Sequence, residues 1–173
     1  MSRLLDVLEH RIDMFAVAGD PDFDIVRGTA DYFLEYPQLC HHPKEDVIFR
    51  RLKERCPHDV AALPNLESEH REVNQRAGRL HETITALLEE TDIARDLVVD
   101  TARIFIEAER RHMTMEEDQF LPLAEDRLTA EDWSQIANDL NEAHDPLFGD
   151  RVETEFSTLS ERLLRWEEED RSC

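Results

Sequence analysis

Glycine is scarce in this chain, with four residues in 173. It loses the most conformational freedom in a helix, whereas Leu, Glu, Arg and Ala lose little. Its scarcity beside long Leu/Glu/Arg/Ala-rich stretches therefore favours helix, and no strand pattern or low-complexity segment stands against that reading. Basic residues are few as well: 20 Lys and Arg face 41 Asp and Glu, for a formal net charge of −21. Such a surface repels phosphate backbones and anionic headgroups, which argues against nucleic acid and membrane surfaces as partners. The same surplus also has a plain role in keeping a protein dissolved. No apolar run approaches the ~20 residues that span a bilayer. The N-terminus, MSRLLDVLEHRID, is amphipathic and charged rather than a secretory h-region. Three cysteines, Cys40, Cys56 and Cys173, form no CxxC motif. An odd count without a signal peptide points to a reducing cytoplasm. No nucleophile–base pair and no phosphate loop is present either.

What the chain does have is helical periodicity. The first helix is expected from Ser2 to about Ala18, with Leu4, Leu5, Leu8, Ile12 and Phe15 on its apolar face. The turn Gly19-Asp20-Pro21-Asp22 ends it. A second helix carries Phe23, Val26, Ala30, Phe33 and Leu34, is interrupted at Pro37, and resumes near His42-Pro43 to about Cys56. Pro43 suits the first turn of the resumed helix, so a kink is expected over Tyr36–Cys40. Pro57 to Pro64 reads as a connector with room for one short helical turn. A third helix starts near Asn65, carries Leu66, His70, Val73, Ala77, Leu80, Ile84 and Leu87, and ends around Glu90–Asp92. A fourth runs from Ile93 to about Asp126, with Pro122 kinking or shortening its end. Thr129 caps a short fifth helix that buries Trp133, Ile136, Ala137 and Leu140. The loop Asp145–Gly149 leads to a last amphipathic helix from Val152 to Glu168. Four long helices on short links predict an all-α, up-down-up-down four-helix bundle over residues 2–126. Residues 127–173 form a C-terminal helical extension packed against its side or end.

One internal repeat carries chemistry. His41-x-x-x-Glu45-Asp46-x-x-Phe49-x-x-Leu52 matches His112-x-x-x-Glu116-Glu117-x-x-Phe120-x-x-Leu123. Residues four apart share a helix face, so each segment can aim an imidazole and a carboxylate at one point. That donor set suits iron, manganese or zinc, and carboxylates can bridge two metals in a bundle core. One such pair would mean little, because roughly one is expected by chance among eight His and many Glu. Two pairs in equivalent frames outweigh the alternative, exposed histidines paired with Glu along a helix face. His70 adds a third point, although a single His on a core face is more often just a hydrogen-bonded core residue. It lies about 18 residues before the end of the third helix, and His112 about 19 after the start of the fourth. At ~1.5 Å per residue both sit ~27–29 Å from the connecting loop, so they face each other.

The same arithmetic argues against His10. It lies ~12 Å from the end of the first helix, against ~28 Å for His41 into the second. The mismatch of roughly 16 Å far exceeds a metal–nitrogen bond of ~2 Å, unless helix 2 reorganises around Pro37. His42 points about 100° away from His41 and has Asp46 four residues on, a pairing that suits a supporting role. His58 and His81 read as surface or helix-end residues, and His144 as support for the Asp145-Pro146 turn. Cys40 is read as a buried inert thiol.

The repeat His41…Glu45 and His112…Glu116, with His70 between, resembles the hemerythrin/HHE cation-binding family. The strings His41-His42-Pro43-Lys44-Glu45-Asp46 and Asp145-Pro146-Leu147-Phe148-Gly149 resemble a bacterial subgroup of it. The resemblance covers residues 2 to about 150. It implies a non-haem iron site of one or two ions, held by His41, Glu45, His70, His112 and Glu116. The family's helix 1 ligand falls before the Leu4–Glu9 segment, so the resemblance implies either a start chosen too late or one ligand fewer. Asn74 stands where true hemerythrins carry a further helix 3 His, which argues against a five-His oxygen carrier. A missing first turn would bare apolar surface and favour a homodimer. The leading expectation is a module that binds O₂ or NO, or responds to iron or oxidative stress. The alternatives are an iron enzyme acting on peroxide or NO, and a helical interaction protein whose metal site has decayed.

Overall fold

The computed structural model describes residues 1–17, 21–89, 93–143 and 149–170, with the backbone alone for 141–143, 149–153, 155 and 167–170. Of the loop expected over Asp145–Gly149, residues 145–148 lie outside the described residues, as do His144 and Cys173, whereas Gly149 already belongs to the last helix. Helices α1 (Ser2–Ala16), α2 (Phe23–Tyr36), α3 (His42–Arg55), α4 (Pro57–Val60), α5 (Leu66–Leu88), α6 (Arg95–Met115), α7 (Leu121–Arg127), α8 (Ala130–Ala143) and α9 (Gly149–Asp170) are arranged in that order, and no strand occurs among the described residues. No helix among them is long and apolar enough to cross a membrane.

Local chemistry starts several of these helices. The Asp22 carboxylate accepts from the Asp24 and Ile25 N–H groups at the head of α2, and Asn65 accepts from Ser68 N–H at the head of α5. Thr129 and Asp132 cap α8 reciprocally: Asp132 N–H donates to Thr129 Oγ1, and Thr129 N–H and O–H donate to Asp132 Oδ2. Asp132 also holds Arg51 of α3 at 2.8 Å, which pins α8 against α3.

α1 packs on α6, α6 on α5, α5 on α2, and α2 on α1. The core residues of α5 recur at Leu66, His70, Val73, Ala77, Leu80 and Ile84, a 4-3-4-3-4 spacing that keeps one stripe inward. α9 lies over α2 and α1. Leu163 of α9 sits directly on Gly28, where a Cβ would come within 2.8 Å of Leu163 Cδ2, so this glycine permits the close approach.

At two places the helices are wound differently from expectation. The second helix does not break at Pro37: it passes through a π-helical turn, Pro37–His41, straight into α3. The fourth helix likewise passes from α6 through a π turn, Glu116–Phe120, into α7. Each turn is closed by a bond five residues long, His42 N–H to the Pro37 carbonyl and Leu121 N–H to the Glu116 carbonyl. A proline comes directly after each closing residue, Pro43 and Pro122. A proline ring clashes with the carbonyl four residues earlier and leaves it without a donor. Here those carbonyls belong to Leu39 and Asp118, both inside the π turns, where wider winding relieves the clash. Each insertion also advances the phase of the downstream helix by ~100°.

The interior is not continuously apolar. One cluster gathers Leu5, Leu8, Phe33, Leu80, Ala102 and Phe105. A second gathers Phe49, Leu52, Leu66, Met115, Phe120 and Ile136. His70, His112 and Glu45 lie in sequence between members of the two clusters on their respective helices. A buried polar layer thus separates two apolar cores.

Candidate metal centre

Five buried side chains define that layer. Ring nitrogens of His42, His70 and His112 lie within 4.8 Å of one another, and so do ligand atoms of Glu45, His70, His112 and Glu116. The two groups share His70 and His112. The His42 ring stacks on His70 with centroids 4.0 Å apart, and His112 meets both edge-on.

The residues singled out in sequence occupy different ranks. Glu45, His70, His112 and Glu116 are together in the interior. His41 stands at the rim, its side chain 33% exposed, with Nε2 3.4 Å from Glu45 Oε2 and 3.9 Å from Glu116 Oε2. His42, read from sequence as a supporting residue, is the imidazole inside, at 3% exposure. Helical geometry makes both placements compatible with Glu45 facing inward. His41, four residues back, lies ~40° to one side of it, and His42, three residues back, ~60° to the other. His10 is half-buried on α1 and belongs to neither group. His58 is exposed, and His81 pairs with Asp31 across α5 and α2 at 3.1 Å.

Asp46 does not serve His42. Its Oδ1 meets His70 Nδ1 at 2.8 Å. That contact turns His70 Nε2 toward Glu45 Oε2, at 3.3 Å, and Glu116 Oε1, at 3.6 Å. A carboxylate behind an imidazole in this way sets its tautomer and raises its basicity as a metal ligand.

A sixth buried residue escaped the sequence reading. Glu109 of α6 is 2% exposed. It lies one turn before His112 on the stripe Ala102, Phe105, Glu109, His112, Glu116, spaced 3-4-3-4. The signal was a carboxylate at a core position of that period, hidden by the abundance of glutamate everywhere else.

The electrostatics are those of a site in tension. Burial works against charge on His70, but the Glu116 and Glu45 carboxylates outweigh it and push His70 up to about 9. Burial alone would raise Glu116, yet His112, His41 and His70 hold it well below the usual carboxylate range. Glu45 is raised, by burial first and by the Glu116 charge beside it. His42 falls to about 3, through burial and the neighbouring His70 and His112. Glu109 rises to about 7, chiefly through burial.

Hydrogen bonding does not resolve this tension. Among the described residues, the buried side-chain nitrogens and oxygens without a hydrogen-bond partner are His42 Nδ1 and Nε2, Glu45 Oε2, His70 Nε2, Glu109 Oε1, His112 Nδ1 and Nε2, and Glu116 Oε1. Some approach closely, as His112 Nε2 does Glu116 Oε1 at 2.7 Å, but not in a direction that makes a hydrogen bond. Each orphaned buried polar group costs ~1–3 kcal/mol. Their concentration in one layer fits a cation that accepts their lone pairs.

Imidazoles and carboxylates gathered in the apolar interior of a helical bundle define a helical metal-binding protein. The chain belongs to the hemerythrin HHE cation-binding domain family, whose model matches residues 1–124. No curated protein and no solved structure matches it.

Asp46→Ala is expected to weaken metal binding about 10- to 100-fold while leaving the helical content unchanged. Anaerobic titration with Fe(II) measures it. An unchanged affinity would show that packing alone orients His70.

Proposed function

We propose that this protein is a non-haem iron-binding module of the up-down-up-down type. His70, His112, Glu45 and Glu116 would hold the metal, with His42 from inside and His41 from the rim. The observation that carries this reading is the convergence of partnerless buried nitrogens and oxygens on one layer between two apolar cores. The borderline donor set suits iron, manganese or zinc, and membership of the HHE family favours iron.

Bound iron would supply open coordination positions for a small ligand such as O₂ or NO. The chain's own residues leave room for one. A cavity of about 300 Å³ is lined by Tyr32, Tyr36, His41, Met113 and the Glu45 and Glu116 carboxylates. The leading reading is a binding protein for a diatomic gas, or for iron itself under stress; turnover of peroxide or NO would mark the iron enzyme instead.

Elemental analysis of protein purified without added metal, with an optical spectrum beside it, tests the proposal. Iron at one or two ions per chain is the expected result. A chain that holds no metal, even after anaerobic incubation with Fe(II), would overturn it.

A further inference from the structure

We infer that Fe(II) reaches the layer through the cavity of about 300 Å³ beside His41, with Glu117 at its mouth drawing the cation inward. The inference rests on the iron-binding reading above and adds to it the route by which the site is filled.

Glu45, His70, His112 and Glu116 are 6%, 3%, 1% and 4% exposed. A hydrated cation in bulk solvent cannot meet donors so deeply covered, and it needs an opening. Two cavities reach the layer. One, of about 550 Å³, is bordered by His42, Asp46, Glu67, His70, Arg71 and Asn74 among others. The other, of about 300 Å³, is bordered by Tyr36, His41, Glu45, Glu116, Glu117 and Leu121 among others. The smaller one is wide enough for an ion that carries six waters of about 30 Å³ each.

Charge distinguishes the two openings. No Lys or Arg lines the smaller cavity. The one formally positive group among its lining residues is the α-amino group of Met1, against three carboxylates. Glu117 is exposed, and the next residue back, Glu116, is buried, so two adjacent carboxylates lead from solvent to the interior. At the inner end Glu45 Oε2 and Glu116 Oε1 have no hydrogen-bond partner. Carboxylate oxygens are suited to take over from the waters of a divalent ion as it enters.

The larger cavity is less inviting to a cation. Arg71 is exposed among its lining residues. Glu67 lies four residues before Arg71 on the same face of α5, so the guanidinium offsets its charge. The other carboxylate there, Asp46, already holds His70 Nδ1 at 2.8 Å.

A charge at a mouth raises the local concentration of the incoming ion and hence the rate of entry, and salt screens it. Glu117 stands outside both groups of converging donors, so it acts on the rate and not on the affinity.

The test is the rate of anaerobic Fe(II) loading of the full chain at low ionic strength. Samples are quenched at intervals with a chromophoric chelator that reads the iron still free, and equilibrium affinity is measured beside it by competition. Glu117→Gln is expected to load about fivefold more slowly, with an affinity within about twofold of the wild type. Glu117→Asp keeps the charge and is expected to load at the wild-type rate. Glu67→Gln makes the same charge change at the other opening and is expected to leave the rate within about twofold. Added salt should slow the wild type and narrow its lead over Glu117→Gln. A wild-type rate in Glu117→Gln, or a greater slowing in Glu67→Gln, overturns the route and leaves the iron-binding reading standing. An affinity that falls in step with the rate overturns the role given to Glu117. No iron bound by the wild type at equilibrium overturns both readings.

Discussion

His112→Ala is expected to lower iron affinity by about 100-fold or more, whereas His10→Ala leaves it within about twofold. Loss of a residue that merely orients a metal ligand typically costs 10–100-fold, so loss of a ligand sets that range as a floor. His112 is 1% exposed, touches His70 and His42 ring to edge, and brings Nε2 to 2.7 Å from Glu116 Oε1. Removing it opens the middle of the layer and deprives both donor groups of a shared member. His10 belongs to neither group. Competition for Fe(II) against a chromophoric chelator, under anaerobic conditions, measures both variants, with circular dichroism as a check on folding. Equal losses would place His10 in the site and overturn the level arithmetic that set it aside.

Metal should also stabilise the fold strongly. Without a cation the interior holds partnerless polar atoms on six residues, each costing ~1–3 kcal/mol. These groups have no comparable geometry in the unfolded chain, so binding free energy becomes folding free energy. At a thousandfold excess over Kd, linkage predicts a gain of about 4 kcal/mol. For a chain of this size each kcal/mol moves Tm by ~2–4 °C, so a rise of roughly 8–16 °C is expected. Thermal melts with and without Fe(II) measure it. The same addition should move His112→Ala much less: at a 100-fold weaker Kd the excess is only about tenfold, which gives about 1.4 kcal/mol and a rise of roughly 3–6 °C. A wild-type Tm indifferent to Fe(II) would mean that the cluster is satisfied in some other way.

Parts of this architecture could be read from the residues alone. Glycine scarcity and apolar spacing identified the helices, because a helix repeats its faces every 3.6 residues whatever surrounds it. The heptad-like stripe of α5 placed His70 among core residues, and counting from the loop set it level with His112. Both deductions use distances and angles internal to one helix, or to two helices sharing one short link.

The rest depended on how each helix is turned about its own axis. His41 and His42 straddle Glu45 at comparable angles, so periodicity could not say which one enters the core. The π turn at Pro37–His41 and the packing of α3 against α5, α7 and α8 decided it in favour of His42. Asp46 found its partner on another helix, 24 residues away in sequence, which no local spacing encodes. Glu109 was one acid among 41 until the contacts of α6 showed it buried. Sequence determined the helices and the relative directions of side chains along each one, because covalent geometry sets those. Tertiary packing alone decided the absolute rotation of each helix, and with it which imidazoles and carboxylates share the interior.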